Sequence, residues 1–465
     1  MLFAAGRAYG DAAEDKLSFD ASKFTVKTFT VDGRTVTCRA YEGIAYVTNP
    51  EDATYESMNI YVPVEYYEGK SIGKYNAGTA PIFLPNTVGG YMPGKPIGPG
   101  DRMDHENAIE KALAHGYVVA VPGARGRVLR DDTGRYYGKA PACIVDLKAA
   151  VRYLRHNDKA MPGDAGKIIS NGTSAGGALS ALLGASGDSP DYEPYLMEIG
   201  AADERDDIFA ASCYCPITNL DHADAAYEWL FCGLNSYDDH GRVGVMDERH
   251  VKVSVELKAL FPSYVNGLGL KAKDGTVLHL DASGDGSFKD YVKSYVIASA
   301  QKALQGGMDL SGLKWLTVKN GVVTDIDFDA YLAYAKRQKT APAFDSLELA
   351  SPETNLFGTE TVDSQHFTSF SSDNSADHTL ADAGLVKMMN AMNYIGTGNA
   401  TTAPHWRIRH GSVDRDTSIA VPIILATKLQ NAGYDADIAL PWGRGHSGDY
   451  DLDELFAWID GICAK

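Results

Sequence analysis

The chain has 465 residues, 45% hydrophobic and 22% charged, the balance of a globular protein with room for one large fold and a second lobe. No run reaches the roughly 18 to 20 uninterrupted apolar residues that a membrane helix needs, so no membrane partner is expected. The formal net charge of −18 repels a polyphosphate backbone and argues against a nucleic-acid binder, while a neutral, polyphenolic or carbohydrate-linked small molecule stays compatible with it. In chain order, the opening "MLFAAGRAYGDAAEDK" lacks a basic leader and a sustained apolar core, so no signal peptide is expected. A cytoplasmic location is the expectation, with export after loss of a leader as the alternative. "NIYVPV" (59–64) and "APIFLPN" (80–86) read as strands, and "NAIEKALAHG" (107–116) as a helix closed by Gly116. "YVVAVPG" (117–123) is an unbroken apolar run, the signature of a strand covered on both faces. "PACIVDLKAAVRYLRHN" (141–157) has helical spacing behind Pro141, "KIIS" (167–170) is the next strand and "AGGALSALLGAS" (175–186) the next helix.

This βα alternation predicts a mostly parallel sheet flanked by helices. It stops near residue 220. Residues 220–400 hold helical pieces at "SVELKALFPSYVNGL" (254–268) and "YVKSYVIASAQKAL" (291–304), with a hairpin expected at "KAKDGTVLHL" (271–280) around Asp274-Gly275. Strand "HWRIRHG" (405–411), helix "IAVPIILATKLQNAG", strand "DADIALPW" and helix "DLDELFAWIDGICA" resume the alternation. The simplest organisation is a catalytic domain built from 1–219 and 401–465, with 220–400 inserted as a lid.

"NGTSAGG" (171–177) contains Gly172-Thr173-Ser174-Ala175-Gly176, a G-x-S-x-G pattern between a predicted strand and a predicted helix. That context is the nucleophile elbow of the α/β-hydrolase fold, a turn sharp enough to lift a serine hydroxyl above the sheet, and it is the fold class expected here. A serine needs a base, and the base needs an orienting acid. In this fold both follow on loops after C-terminal strands. Asp414 follows "HWRIRHG" and His446 follows "DADIALPW", giving the order Ser174, Asp414, His446. Asp416 and Asp449 compete for the acid role, though Asp416 lies further from the strand end and Asp449 could cap the last helix. The oxyanion of an ester-hydrolysis intermediate needs two N–H donors. The amide of Ala175 supplies one, and the glycine-rich "PNTVGGYMPG" (85–94) offers Gly89 or Gly90 for the other. No metal and no cofactor are required by such a mechanism.

Other motifs read more plainly. The six cysteines are too few for a disulfide scaffold and are expected to be free, mostly buried thiols. "TDIDFD" (324–329) suits an edge strand or a helix start. "DASGDGSFKD" (281–290) lacks the spacing and terminal glutamate of an EF-hand loop. Arg125 and Arg127 of "GARGR" fit structural ion pairs better than substrate ligands.

With the elbow, late acid and late histidine placed, the chain resembles the bacterial tannases, tannin acyl hydrolases of the α/β-hydrolase superfamily. The resemblance covers nearly the whole length beyond the first twenty or so residues. It is carried by "PNTVGGYMPG", "GYVVAVPGARGR", "NGTSAGGALSALLGASG", "YCPITNLDHADAAYEW", "PAFDSLELASPETNLFG", "HWRIRHGSVDRDTS" and "HSGDYDLDELFAWIDG". It implies a Ser174, Asp414, His446 triad and places Lys339, Glu353 and Asp416 around the three hydroxyls of a galloyl group. Carboxylates would accept from phenolic O–H groups and the ammonium would donate to a phenolic oxygen. Without the resemblance, Lys339 and Glu353 read as a solvated surface pair. Two departures stand out. The fungal relatives carry cysteines beside the serine and histidine, where this chain has Thr173, Gly445 and Ser447. Residues 235–255 also match the family pattern poorly. The function implied is hydrolysis of galloyl esters. Another carboxylic ester hydrolase, such as a feruloyl esterase, and a non-catalytic binder of phenolics are the alternatives.

Overall fold

The computed structural model describes residues 15–101 and 107–464. Residues 1–14, which hold most of the stretch read for a leader, lie outside the described residues. Nine strands form one twisted sheet: β1 (Thr25–Val31), β2 (Arg34–Ala45), β3 (Ser57–Pro63), β4 (Pro81–Pro85), β5 (Val118–Pro122), β6 (Asp164–Thr173), β7 (Ala210–Tyr214), β8 (His405–Arg409) and β9 (Asp435–Ala439). Their spatial order is β1-β2-β3-β5-β4-β6-β7-β8-β9. The strands from β5 to β9 run parallel to one another, while β1, β2 and β3 meet their neighbours antiparallel. This is the α/β-hydrolase arrangement. β4, β5 and β7 are buried at every residue, as their unbroken apolar runs demand when helices cover both faces.

The sheet begins earlier than the sequence reading placed it. β1 and β2 form a hairpin in which Val31 pairs with Arg34, and Asp32 (φ 49°) and Gly33 (φ 74°) make the two-residue turn. An Asp-Gly turn with both residues at positive φ matches strand twist and is a strong hairpin signal. Its exposed, polar outer face hid it from a search for apolar runs.

The helices α1 (Ala108–Ala114), α2 (Ala142–His156), α3 (Ala175–Ala185), α7 (Ala420–Asn431) and α8 (Leu452–Cys463) flank the sheet, while α4 (Leu220–Phe231), α5 (Glu248–Gly267) and α6 (Ser287–Gln305) lie between β7 and β8. Every residue of α3 is buried, so the helix behind the elbow is held rigidly in the core. α5 starts earlier than expected because Asp247 caps it, its carboxylate accepting from the His250 amide at 2.9 Å.

Between β7 and β8 the chain adds nothing to the main sheet. It forms helices and two small hairpins, Ser236–Asp239 with Arg242–Val245 and Leu316–Lys319 with Val322–Ile326. The hairpin expected at 271–280 reduces to a single bridge between Lys271 and Val277. Asp274 does form the turn, but the strand ends are diverted: Leu280 exchanges two hydrogen bonds with the Asn266 side chain instead of extending a ladder. "TDIDFD" serves both readings, since Ile326 ends a strand and Asp327 caps the helix Phe328–Ala335. In "DASGDGSFKD" the Asp281 carboxylate accepts from the loop's own Ser283 and Asp285 amides, and Asp285 pairs with Lys289.

Buried charges brace this region internally. Arg337 pairs with Glu228 of α4, both wholly buried. Asp224, also on α4, accepts from the Phe344 and Asp345 amides at 2.8 and 3.0 Å. Asp345 in turn accepts from Phe367, Thr368 and the His366 ring. All six cysteines are free; Cys38, Cys143, Cys213 and Cys215 are buried.

Candidate active site

β6 ends at Thr173 and α3 begins at Ala175, so Ser174 alone makes the turn between them. Its backbone sits at φ 60°, ψ −122°, a strained conformation that a non-glycine residue keeps only where its surroundings impose it. They do so here. The Ser174 amide donates to Tyr214 at the end of β7, and its carbonyl accepts from Ala178 in α3. A side chain on Gly172 would strike the Gly176 carbonyl and the Asn86 amide, and one on Gly176 would lie 2.6 Å from the Val88 carbonyl. The two glycines of the motif therefore let the strand, the helix and the 85–94 loop close on one another.

Asn86 ties that loop to the elbow. Its Nδ2 donates to the Asn171 and Gly176 carbonyls and the Ser180 hydroxyl, while its Oδ1 accepts from the Val88 amide. Gly90 lines the cavity beside Ser174, and its carbonyl accepts from Arg127 Nε at 2.8 Å. Arg127 Nη1 reaches Asn355 Oδ1 at 3.0 Å. Arg125 pairs with buried Asp146 at 2.7 Å, as its reading as an ion-pair residue expects. Arg127 differs: it braces the 85–94 loop against the short helix Pro352–Leu356 through neutral oxygens. Asn86 opens a motif already singled out, but its role depends on a contact across 85 residues with Asn171, which no local pattern encodes.

Asp414 lies beyond β8 and His446 beyond β9. His446 Nδ1 donates to Asp414 Oδ2 at 2.8 Å, and the Asp416 and Thr417 amides donate to Asp414 Oδ1. Asp414 is buried; burial works to raise its pKa, but the His446 and His410 rings outweigh it and hold the carboxyl well below its ordinary range. For His446 the balance is mirrored. Burial opposes its charge, and the Asp414 carboxylate overrides that and carries the imidazole well above its usual value. Asp416 sits on the other side of the ring, 3.9 Å from Nε2. Asp449 does not cap the last helix, where Asp451 occupies the cap position; its Oδ1 accepts from Asn171 Nδ2 at 2.9 Å. Cys215, just past β7, contacts the Ser447 carbonyl through Sγ, and burial pushes its thiol up to about 11, so it is no rival nucleophile.

Ser174, His446, Gly90, Lys339, Glu353 and Asp416 line one cavity of about 600 Å³, together with Tyr237, His240 and Arg242 of the first small hairpin. Lys339 Nζ donates to Asp416 Oδ1 at 2.9 Å. Gln338 Nε2 donates to Asp416 Oδ2, also at 2.9 Å. The Tyr227 hydroxyl fixes this stretch by accepting from the Gln338 and Lys339 amides. Burial raises the Glu353 carboxyl to about 7, opposed mainly by Lys339, while Asp416 is held low, burial being overcome by Lys339 and then His446. Lys339 and Glu353 are thus not a solvated surface pair: Glu353 is buried and Lys339 is bound inside the cavity. Ala175 is buried at the first turn of α3, and Gly89 lies next to Gly90 without lining the cavity.

Comparison with known proteins bears on the fold and the family. Residues 89–225 match the BD-FAE family model. A 136-residue segment is 31% identical to the esterase LipQ of Mycobacterium tuberculosis, covering 28% of this chain and only 30% of that protein. Solved structures match far more fully. The tannase of Fusobacterium nucleatum superposes with a TM-score of 0.93 at 51% identity, covering 96% of this chain and 99% of its own. The native tannin acyl hydrolase of Lactobacillus plantarum gives 0.94 at 48% identity, with 96% and 99% coverage. A tannin acyl hydrolase in complex with ethyl gallate gives 0.94 at 48% identity, with 97% and 99% coverage. Sheet, elbow and near-complete alignment at about half identity leave one assignment: the chain belongs to the bacterial tannase family of α/β-hydrolases.

Proposed function

We propose that the protein hydrolyses galloyl esters through an acyl-enzyme on Ser174. The observation carrying this reading is one cavity that joins Ser174 and His446 to Lys339, Glu353 and Asp416. His446 takes the Ser174 proton as the hydroxyl attacks the ester carbonyl, and Asp414 orients the imidazole and stabilises the charge it gains. The amides of Ala175 and of the Gly89-Gly90 loop receive the oxyanion. His446 returns the proton to the leaving alcohol, and water then releases gallate by the same route. Asp416 and Glu353 accept from the galloyl hydroxyls while Lys339 donates to a phenolic oxygen. A pocket of buried polar groups rejects acids lacking those hydroxyls, because its own groups would be left unpaired. Residues 220–400 act as the lid carrying two of these contacts. The complex of a relative with ethyl gallate supports the substrate class.

The test is release of gallic acid from methyl gallate by wild type and Ser174→Ala, with methyl ferulate in parallel. Gallate release abolished by the substitution, with little ferulate turnover, is expected. Turnover of ferulate but not gallate would discard the galloyl assignment while keeping the serine hydrolase.

A further inference from the structure

Behind the Asp414–His446 pair, Asp414 also belongs to a second constellation, whose other two members the ester chemistry does not use. The Cys215 Sγ, a His410 ring nitrogen and an Asp414 carboxylate oxygen all lie within 4.8 Å of one another, and all three residues are buried. His410 is wholly enclosed, yet among the described residues neither ring nitrogen has a hydrogen-bond partner, and its Nδ1 stands 3.8 Å from Asp414 Oδ2. Burying an imidazole with both nitrogens unpaired costs about 1–3 kcal/mol per group, so this ring is poised to accept a ligand. Backbone bonds fix the constellation: the Cys215 amide donates to the Arg409 carbonyl at 2.7 Å, and Arg409 directly precedes His410.

We propose that Cys215, His410 and Asp414 form an inhibitory site for a thiophilic divalent cation such as Zn²⁺ or Cd²⁺. One thiolate, one imidazole and one carboxylate are a donor set that Zn²⁺ takes in tetrahedral geometry, whereas Mg²⁺ and Ca²⁺ demand oxygen ligands. Metal–ligand lengths of about 2.0 to 2.3 Å bring tetrahedral donors to roughly 3.5 Å apart. A contraction of about an ångström through side-chain rotation therefore suffices. On binding, the Cys215 thiol gives its proton to the buffer and its sulfur lone pair to the metal, and no other bond is made or broken. The inhibition rests on the role proposed for Asp414; the binding does not. An Asp414 oxygen committed to the cation no longer orients His446, and a triad deprived of its acid loses about 10⁴ in kcat.

The experiment uses the full chain freed of metal by chelator dialysis. ZnCl₂ should bind at one equivalent and lower kcat on methyl gallate at least a hundredfold without raising KM, reversibly with EDTA. Cys215→Ala should lose at least tenfold in zinc sensitivity, measured against its own metal-free rate. CoCl₂ provides a readout independent of turnover: a thiolate-to-cobalt charge-transfer band in the wild type, absent from Cys215→Ala and displaced by zinc. Zinc inhibition undiminished in Cys215→Ala, or cobalt uptake without a thiolate band, overturns the proposal. If Cys215→Ala does not fold, the wild-type cobalt spectrum decides alone. If gallate is not a substrate, a thiolate band still upholds the metal site while the galloyl reading falls.

Discussion

Glu353 is a carboxyl group held where its ionised form is poorly solvated, and that has opposite consequences for binding and for stability. Its pKa is raised to about 7 from an ordinary value of 4.5. A carboxyl whose folded pKa lies above its unfolded one disfavours the native state as pH rises: nothing is lost below about 4.5, and the full penalty is present above about 7. At one pKa unit per about 1.4 kcal/mol, that penalty is on the order of 3 kcal/mol. Glu353→Gln is therefore expected to raise the melting temperature at pH 8 and leave it nearly unchanged at pH 4.5, which scanning calorimetry at the two pH values checks. The same substitution removes a charged acceptor worth about 1.5–3 kcal/mol, so KM for methyl gallate should rise roughly ten- to a hundredfold. Lys339→Ala should act in the same direction and also release Asp416 from its partner. Full gallate activity in either variant would count against the galloyl pocket.

At the scale of elements, the loop 85–94 is set by neighbours distant in sequence rather than by its own glycines. Arg127 holds the Gly90 carbonyl and, through Asn355, the short helix Pro352–Leu356 that carries Glu353. A loop carrying an oxyanion donor loses rate when displaced by a fraction of an ångström. Arg127→Ala is expected to lower kcat on methyl gallate by ten- to a hundredfold and to raise KM, since one side chain braces both halves of the site. Steady-state kinetics separates the two effects, and an unchanged kcat would place the oxyanion donor elsewhere. What could be read in advance follows from the same distinction. The elbow was legible because its demands are local: a strand, two glycines around a serine, a helix. The pairing of Asp414 with His446 could be expected because each lies shortly after a predicted C-terminal strand. Asn86, Tyr227 and Gln338 were not, since each works through contacts with residues far along the chain. The β1–β2 hairpin was missed for another reason, a polar outer face that masks the alternation beneath it.

Across the whole molecule, the region between β7 and β8 shares the apolar core of the sheet and is braced within itself by buried charge. Glu228 and Arg337 are both fully enclosed, and Arg337 Nε also donates to the Lys339 carbonyl at 2.6 Å. Removing one partner of such a pair leaves the other charge buried and uncompensated, at a cost of about 3–5 kcal/mol. Glu228→Gln is expected to lower the urea midpoint accordingly and to weaken gallate binding along with it, because the arginine that loses its carboxylate also positions Lys339. Retained stability would mean that solvent reaches this pair.

The carboxylates around the cavity bear on what happens after the chemistry. A gallate ester arrives uncharged, but hydrolysis converts it into an anion beside Asp416 and Glu353, inside a protein of net charge −18. The reaction thus creates a charge that the whole surface repels, and the two directions of traffic feel different fields. Dilute buffer should hasten departure of the acid without slowing arrival of the ester. Added salt should make gallate a better competitive inhibitor while leaving kcat/KM for methyl gallate nearly constant. The acidity of the chain then works as a one-way valve, keeping turnover going as the acid accumulates.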